Sequence, residues 1–353
     1  NMAYSTISKP SLHFNTKLFT GNGANDNAQT GVGFQPDWTW IKARSQGYDH
    51  MLFDRVRQGS NAQPFDIRSN LTNAQSTDTS GVKSFDSDGF TLNNGGYVNG
   101  NGVTFASWNW KANGAGSANT DGSINTTATS VNTTAGFSII TYTGTGSAGT
   151  IGHGLGVKPD FWQVKALSET RAWYGWHKDL ALGDKITFNE SGAKTTDTSL
   201  FTTTAPTTSV INLGNSVGVN NNGITFVCYA FAEKKGFSKF GSYTGNGNAD
   251  GSFIYTGFKP AFVILKIAEH SGSWLMFDNK RDGLNPNSHR VYANGSDAED
   301  TGSGSQVDFL SNGFKCRSSD SSTNTVNNKY LYMAFAEEPL VANVGASIPA
   351  TAR

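Results

Sequence analysis

At 353 residues, with Lys plus Arg equal to Asp plus Glu at 27 each, the chain is too long for one small core and has no net field to draw it onto nucleic acid or an anionic membrane. Its 41 glycines, 36% apolar residues and only 15% charge describe short strands joined by many turns, not helices. No run of about 18 apolar residues and no basic start leading into an apolar stretch is present, so a soluble chain without membrane span or secretory signal is expected. The two cysteines, Cys228 and Cys316, lie far apart without C-x-x-C spacing and read as simple core or surface thiols.

In chain order, Lys9-Pro10 breaks any early helix, and His13 to Phe19 reads as a first strand. It runs into Thr20-Gly21-Asn22-Gly23, a phrase that returns as Thr143-Gly144-Thr145-Gly146 and as Thr244-Gly245-Asn246-Gly247. From each phrase the three copies stay in gap-free register for 35 residues, over 20–54, 143–177 and 244–278. Gly21, Gly23, Gly144, Gly146, Gly245 and Gly247 therefore mark a structural turn or bulge in which two glycines permit positive φ. A phosphate cradle is disfavoured because no helix start follows.

After Pro36, Pro159 and Pro260 comes an apolar strand ending in Lys42, Lys165 or Lys266. Apolar groups on both faces place that strand near the middle of a sandwich. The lysines are read first as strand ends reaching into water, and second as contact residues between subunits. Aromatic strands follow at His50 to Phe53, Trp173 to Trp176 and Trp274 to Phe277, after which the copies diverge as surface loops do. Each copy closes on an aromatic strand, 103–111, 224–233 and 330–337, for which alternation predicts one buried face.

Residues 112–135, rich in Gly, Ser, Thr and Asn, read as a flexible or extended linker, which predicts a looser relation between the first two copies than between the last two. The division is then 1–111 for the first β-sandwich with its lead-in, 112–135 for the linker, 136–233 and 234–338 for the second and third sandwiches, and 339–353 for a tail. The fold class is all-β: three tandem antiparallel β-sandwiches of jelly-roll, lectin-like type.

Candidate chemistry is sparse. Asp86 and Asp88 flank a turn that could begin a cation loop but lack the further oxygens of one, and a plain Asp-Gly turn is preferred. Asp54 with Arg57 and Asp278 with Arg281 suggest a recurrent ion pair. The acidic run 297–300 reads as solvated, and the six dispersed histidines show no metal spacing. Most of the eight tryptophans fall where other copies carry aromatic or apolar residues, which favours core over sugar stacking.

Several phrases carry a resemblance: Met2 to Pro10, Gly31-Val32-Gly33-Phe34-Gln35-Pro36-Asp37, Ser84 to Phe90, Asn109-Trp110-Lys111, Gly236 to Gly247, Phe277 to Asp282, and the ending Pro349-Ala350-Thr351-Ala352-Arg353. Across almost its whole length the chain resembles the three-repeat structural proteins of marine tailed bacteriophages, from whose expected start Asn1 before Met2 departs. The resemblance implies a non-enzymatic virion protein made in the host cytoplasm, without cofactor: a capsid decoration, tail fibre or adhesin. Its expected partners are other virion proteins and copies of itself, a homotrimer or larger array included. The alternative is a host-surface glycan-binding module using the divergent loops 45–49, 61–79 and 285–304. A glycoside hydrolase ranks third, since no copy supplies a paired carboxylate.

Overall fold

The computed structural model describes residues 5–58 and 63–339; Asn1 to Tyr4, residues 61–62 of one divergent loop, and all of the expected tail except Pro339 lie outside them. The first segment folds a 3-10 turn, Pro10–Leu12, then β1 (Phe14–Thr20), β2 (Asn27–Thr30), β3 (Trp38–Ala43), β4 (Met51–Asp54), β5 (Val82–Asp86), β6 (Gly89–Leu92), a one-turn helix α1 (Gly96–Asn99) and β7 (Thr104–Trp110). The second contains β8 (Thr126–Asn132), β9 (Phe137–Thr143), β10 (Gly149–Gly152), β11 (Phe161–Ala166), β12 (Tyr174–His177), β13 (Asp184–Thr187), β14 (Thr195–Thr196), β15 (Val210–Leu213), α2 (Val217–Asn220) and β16 (Thr225–Phe231). The third contains β17 (Ser238–Thr244), β18 (Phe253–Tyr255), β19 (Phe258–Ile267), β20 (Leu275–Asp278), β21 (Arg290–Tyr292), β22 (Val307–Leu310), β23 (Gly313–Cys316) and β24 (Lys329–Pro339).

The chain is all-β, and its named ladders are antiparallel. Three large sheets share one strand order, β1-β7-β3-β4, β9-β16-β11-β12 and β17-β24-β19-β20, the second and third extended by further strands. Three small sheets, β2-β6-β5, β10-β15 and β18-β23-β22, complete the set.

Both faces of the closing strands are buried, where alternation alone predicts one. In the first segment Ile41, Phe53, Phe90 and Phe105 form a core between the large and small sheets. The alternate residues Trp38, Trp40, Trp108 and Trp110 point the other way, into a hub shared with Tyr229 and Phe231 of the second segment and Phe262, Met333 and Phe335 of the third. The rings link the segments directly: Trp38 stacks on Tyr229 at 4.5 Å, Phe231 meets Phe335 at 5.8 Å, and Trp110 meets Phe335 at 5.6 Å. Each such ring, fully buried, contributes on the order of 1.5–3 kcal/mol. All eight tryptophans are buried, so none offers a face to a sugar.

Residues 112–135 differ from a flexible linker. Their β8 pairs with β9, Ser117 bridges Thr129, and Ala112 and Gly114 donate their amides to the Asp37 carboxylate. Polar side chains and small residues here satisfy an ordered backbone.

Candidate functional site

The repeated phrase is a latch, and its two glycines do different jobs. Gly23, Gly146 and Gly247 adopt φ of +68°, +75° and +68°, a region that favours glycine. Gly21, Gly144 and Gly245 have ordinary φ, but a Cβ there would stand 2.4, 2.2 and 2.2 Å from the carbonyl oxygens of Gly100, Asn221 and Thr325. That close approach brings each phrase onto a buried asparagine the sequence reading did not single out. Asn99, Asn220 and Asn324 accept the amides of Asn22, Thr145 and Asn246 at 3.0, 2.8 and 2.9 Å. Each also donates its amide to two backbone carbonyls. The signal available was a buried-type residue followed by Asn at a corresponding place, Val98-Asn99, Val219-Asn220 and Thr323-Asn324.

Lys42, Lys165 and Lys266 do not reach water: all three are fully buried, on the hub-facing row of their strands. Each ammonium donates to the carbonyl of the next residue, Ala43, Ala166 or Ile267, at 2.7–2.8 Å. Each also donates to a loop: Lys42 to Gln46, Lys165 to Thr72 of the first segment, Lys266 to Ser191 of the second, at 3.2–3.3 Å. Among the described residues no carboxylate lies within ion-pair distance of these amines. Burial lowers Lys42 to about 8, Lys165 to about 7 and Lys266 to about 8. The sequence suggested snorkelling because a lysine ends an apolar strand; the hub on the second face removes the water.

Around the lysines the seams repeat three times. The amides of Gln75, Lys194 and Glu299 each donate at 2.8 Å to the carbonyls of Leu167, Ala268 and Arg44 in the neighbouring segment. Trp173 donates to the carbonyl of Arg68 at 2.9 Å and Trp274 to that of Thr187 at 3.2 Å, while His50 Nε2 meets the Tyr292 carbonyl at 2.9 Å. Tyr229 donates to Asp54 at 2.6 Å, Trp108 donates to Asp278 at 3.0 Å, and His177 Nε2 lies 3.2 Å from the Tyr332 carbonyl. Every segment thus grips both others, and the ring closes. Burial holds the His50 imidazole well below its usual range and His177 down to about 4, so both are neutral.

The Asp–Arg pairs are present and buried, with Arg57 on Asp54 at 2.6 Å and Arg281 on Asp278 at 2.5 Å. Burial pushes the Asp278 carboxyl up, but the Arg281 guanidinium outweighs it and holds the group below the usual range. The acidic run is not simply solvated: Glu299 takes a two-pronged contact from Arg44 at 2.9 Å and a third from Arg281 at 3.2 Å. Asp88 accepts the Gly31 and Gly33 amides and Asp86 the Ser84 and Thr91 hydroxyls, the bonding of a turn. Among the described residues no three His, Cys, Asp or Glu side chains gather as metal ligands would.

Residues 9–339 match a family described as a domain of unknown function (DUF7483). The chain belongs to that family. No curated protein and no solved structure matches it. The DUF7483 match spans all three segments and all three seams, so the matched unit is the closed ring and not one sandwich. The divergent loops 61–79 and 285–304 supply Thr72, Gln75 and Glu299 to these seams.

Proposed function

We propose that this chain is a non-enzymatic structural protein of a bacteriophage virion surface, a capsid decoration, fibre or tail-associated adhesin that acts through many repeated contacts with other virion proteins. The reading rests on the resemblance of its phrases to three-repeat virion proteins. The observation supporting it is the distribution of exposed apolar surface. Among the described residues the four most exposed large apolar side chains, Leu284 (75%), Val326 (55%), Tyr255 (50%) and Phe253 (48%), all belong to the third segment. Exposed apolar side chains are what an interaction surface is built on, and the strongest exposure here is in the third segment, with five less exposed ones divided between the other two. The third segment is therefore the part that attaches, and the first two project from the particle. Many copies, each held by a modest contact, give avidity without one strong site.

A Leu284→Asp, Phe253→Ser double variant tests this. It is expected to fold like the parent, by circular dichroism and melting temperature, yet to be missing from purified particles assembled with it. Incorporation at the parent level would contradict attachment through this segment.

A further inference from the structure

Two residues past the corresponding aromatics Trp110, Phe231 and Phe335 stand Ala112, Glu233 and Glu337. The backbone bears out the correspondence of the first two: the amides of Ala112 and Glu233 each donate at 2.6 Å, to Oδ2 of Asp37 and of Asp160. In the second segment the Glu233 carboxylate meets Lys178 at 2.8 Å and Lys239 at 3.5 Å, while Lys178 also meets Asp160 at 3.3 Å. Two cations there face two carboxylates. In the third segment Glu337 meets Lys259 at 2.7 Å. The first segment alone has an alanine in this place, and so lacks the carboxylate.

Beside Ala112 lies an open groove of about 500 Å³, a size within the range of ligand sites. Arg55, which stands where the second segment has Lys178, lines it and pairs with Asp37 at 3.0 Å through Nη1, a nitrogen it shares with Gln35. Among the described residues its Nε and Nη2 have no hydrogen-bond partner, and the side chain is 28% exposed, so these donors are not sealed in the core. Lys111 lines the same groove, is exposed, and has no ion pair among the described residues. Asp37 is the one carboxylate of the lining among those residues; it is 3% exposed and already accepts the Ala112 and Gly114 amides besides Arg55. Asp88, next to the lining Ser87, is held by the Gly31 and Gly33 amides and balanced by Lys17. Two cations thus face one carboxylate, which is one carboxylate fewer than in the second segment. Leu12, 41% exposed, adds an apolar wall.

We infer that the first-segment groove receives the acidic side chain of a protein partner, its carboxylate held by Arg55 and Lys111 where the second segment holds its own Glu233. Hydrogen bonds between charged donors and a carboxylate are roughly twice as strong as neutral ones, and they give the groove its preference for an anion. A peptide is favoured over an acidic sugar because the group that fills the corresponding place is itself a glutamate side chain carried on a main chain, and because Leu12 offers apolar contact to residues flanking the acid. The groove shares no residue with the apolar surface of the third segment, and its test is independent of incorporation into particles.

The full chain is titrated with the N-acetylated, C-amidated peptide Gly-Glu-Gly, with its Gly-Gln-Gly counterpart and with D-glucuronate, followed by saturation-transfer NMR. Saturable binding of the Glu peptide is expected, about tenfold or more tighter than that of the other two, and weakened about tenfold or more by Lys111→Gln, which changes an exposed side chain. Ala112→Glu rebuilds the second-segment arrangement and is expected to weaken the Glu peptide about tenfold or more, because the chain then supplies the carboxylate itself. Should that variant fail to fold, Lys111→Gln decides alone. No saturable binding of the Glu peptide, equal binding of the Gln peptide or of glucuronate, or parent affinity in the folded variants would overturn the inference.

Discussion

Lys165 is where burial and charge conflict most. Its amine is fully enclosed, its nearest strong influence after burial is the like charge of Arg57, and it titrates near 7 when folded against 10.5 in the ordinary range. Between those values the unfolded chain holds a proton that the folded chain has released, so stability rises with pH from about 7 to 10.5, with Lys42 and Lys266 adding to the same slope. Below pH 6.5 the sign stays the same for a different reason: His50 and His177 stay neutral when folded, the unfolded chain takes up protons, and stability falls as pH drops toward 4. Lys165→Met is therefore expected to stabilise the chain at pH 7 by about 1–3 kcal/mol and to flatten the alkaline rise, read from urea unfolding at pH 7 and pH 9.5. A Met variant less stable at pH 7 would mean that the amine's two carbonyl contacts outweigh its desolvation.

At the scale of the element, the turn separates two roles that the spelling Gly-x-Gly merges. Gly21→Ala drives a methyl group onto the Gly100 carbonyl, whereas Gly23→Ala asks only for an unfavourable φ with a nearest neighbour at 3.2 Å. The first is expected to cost at or above the upper end of about 1–3 kcal/mol, the second about 1–2 kcal/mol. Equal losses in chemical denaturation would remove the distinction. The phrase was legible as a turn because two glycines in register three times need a backbone reason. Its partner was not, because Asn99, Asn220 and Asn324 lie 75–78 residues downstream of the amides they accept, past loops of unequal length. The strands at Trp38, Phe161 and Phe262 were legible for a similar reason, since they sit inside the register-locked 35 residues.

For the whole molecule, the sequence carried the β class and the threefold phrase but not the way the segments close on one another. Apolar residues on both faces of a strand fit the centre of a sandwich as well as a strand that serves two cores, and only the hub decides. The aromatic rows Trp38 with Trp110, Phe161 with Phe231 and Phe262 with Phe335 meet across segment boundaries. Polar seams of Gln75, Lys194 and Glu299 then fix the order around the ring. A linear array of independent sandwiches would instead unfold in parts, each repeat stabilised by its own core. Because each segment loses one buried face when a neighbour is removed, the three are expected to unfold as a single unit. Differential scanning calorimetry of the full chain is the most direct test: a single transition whose calorimetric and van't Hoff enthalpies agree is predicted, and separate transitions, or a calorimetric enthalpy about three times the van't Hoff value, would contradict the closed ring.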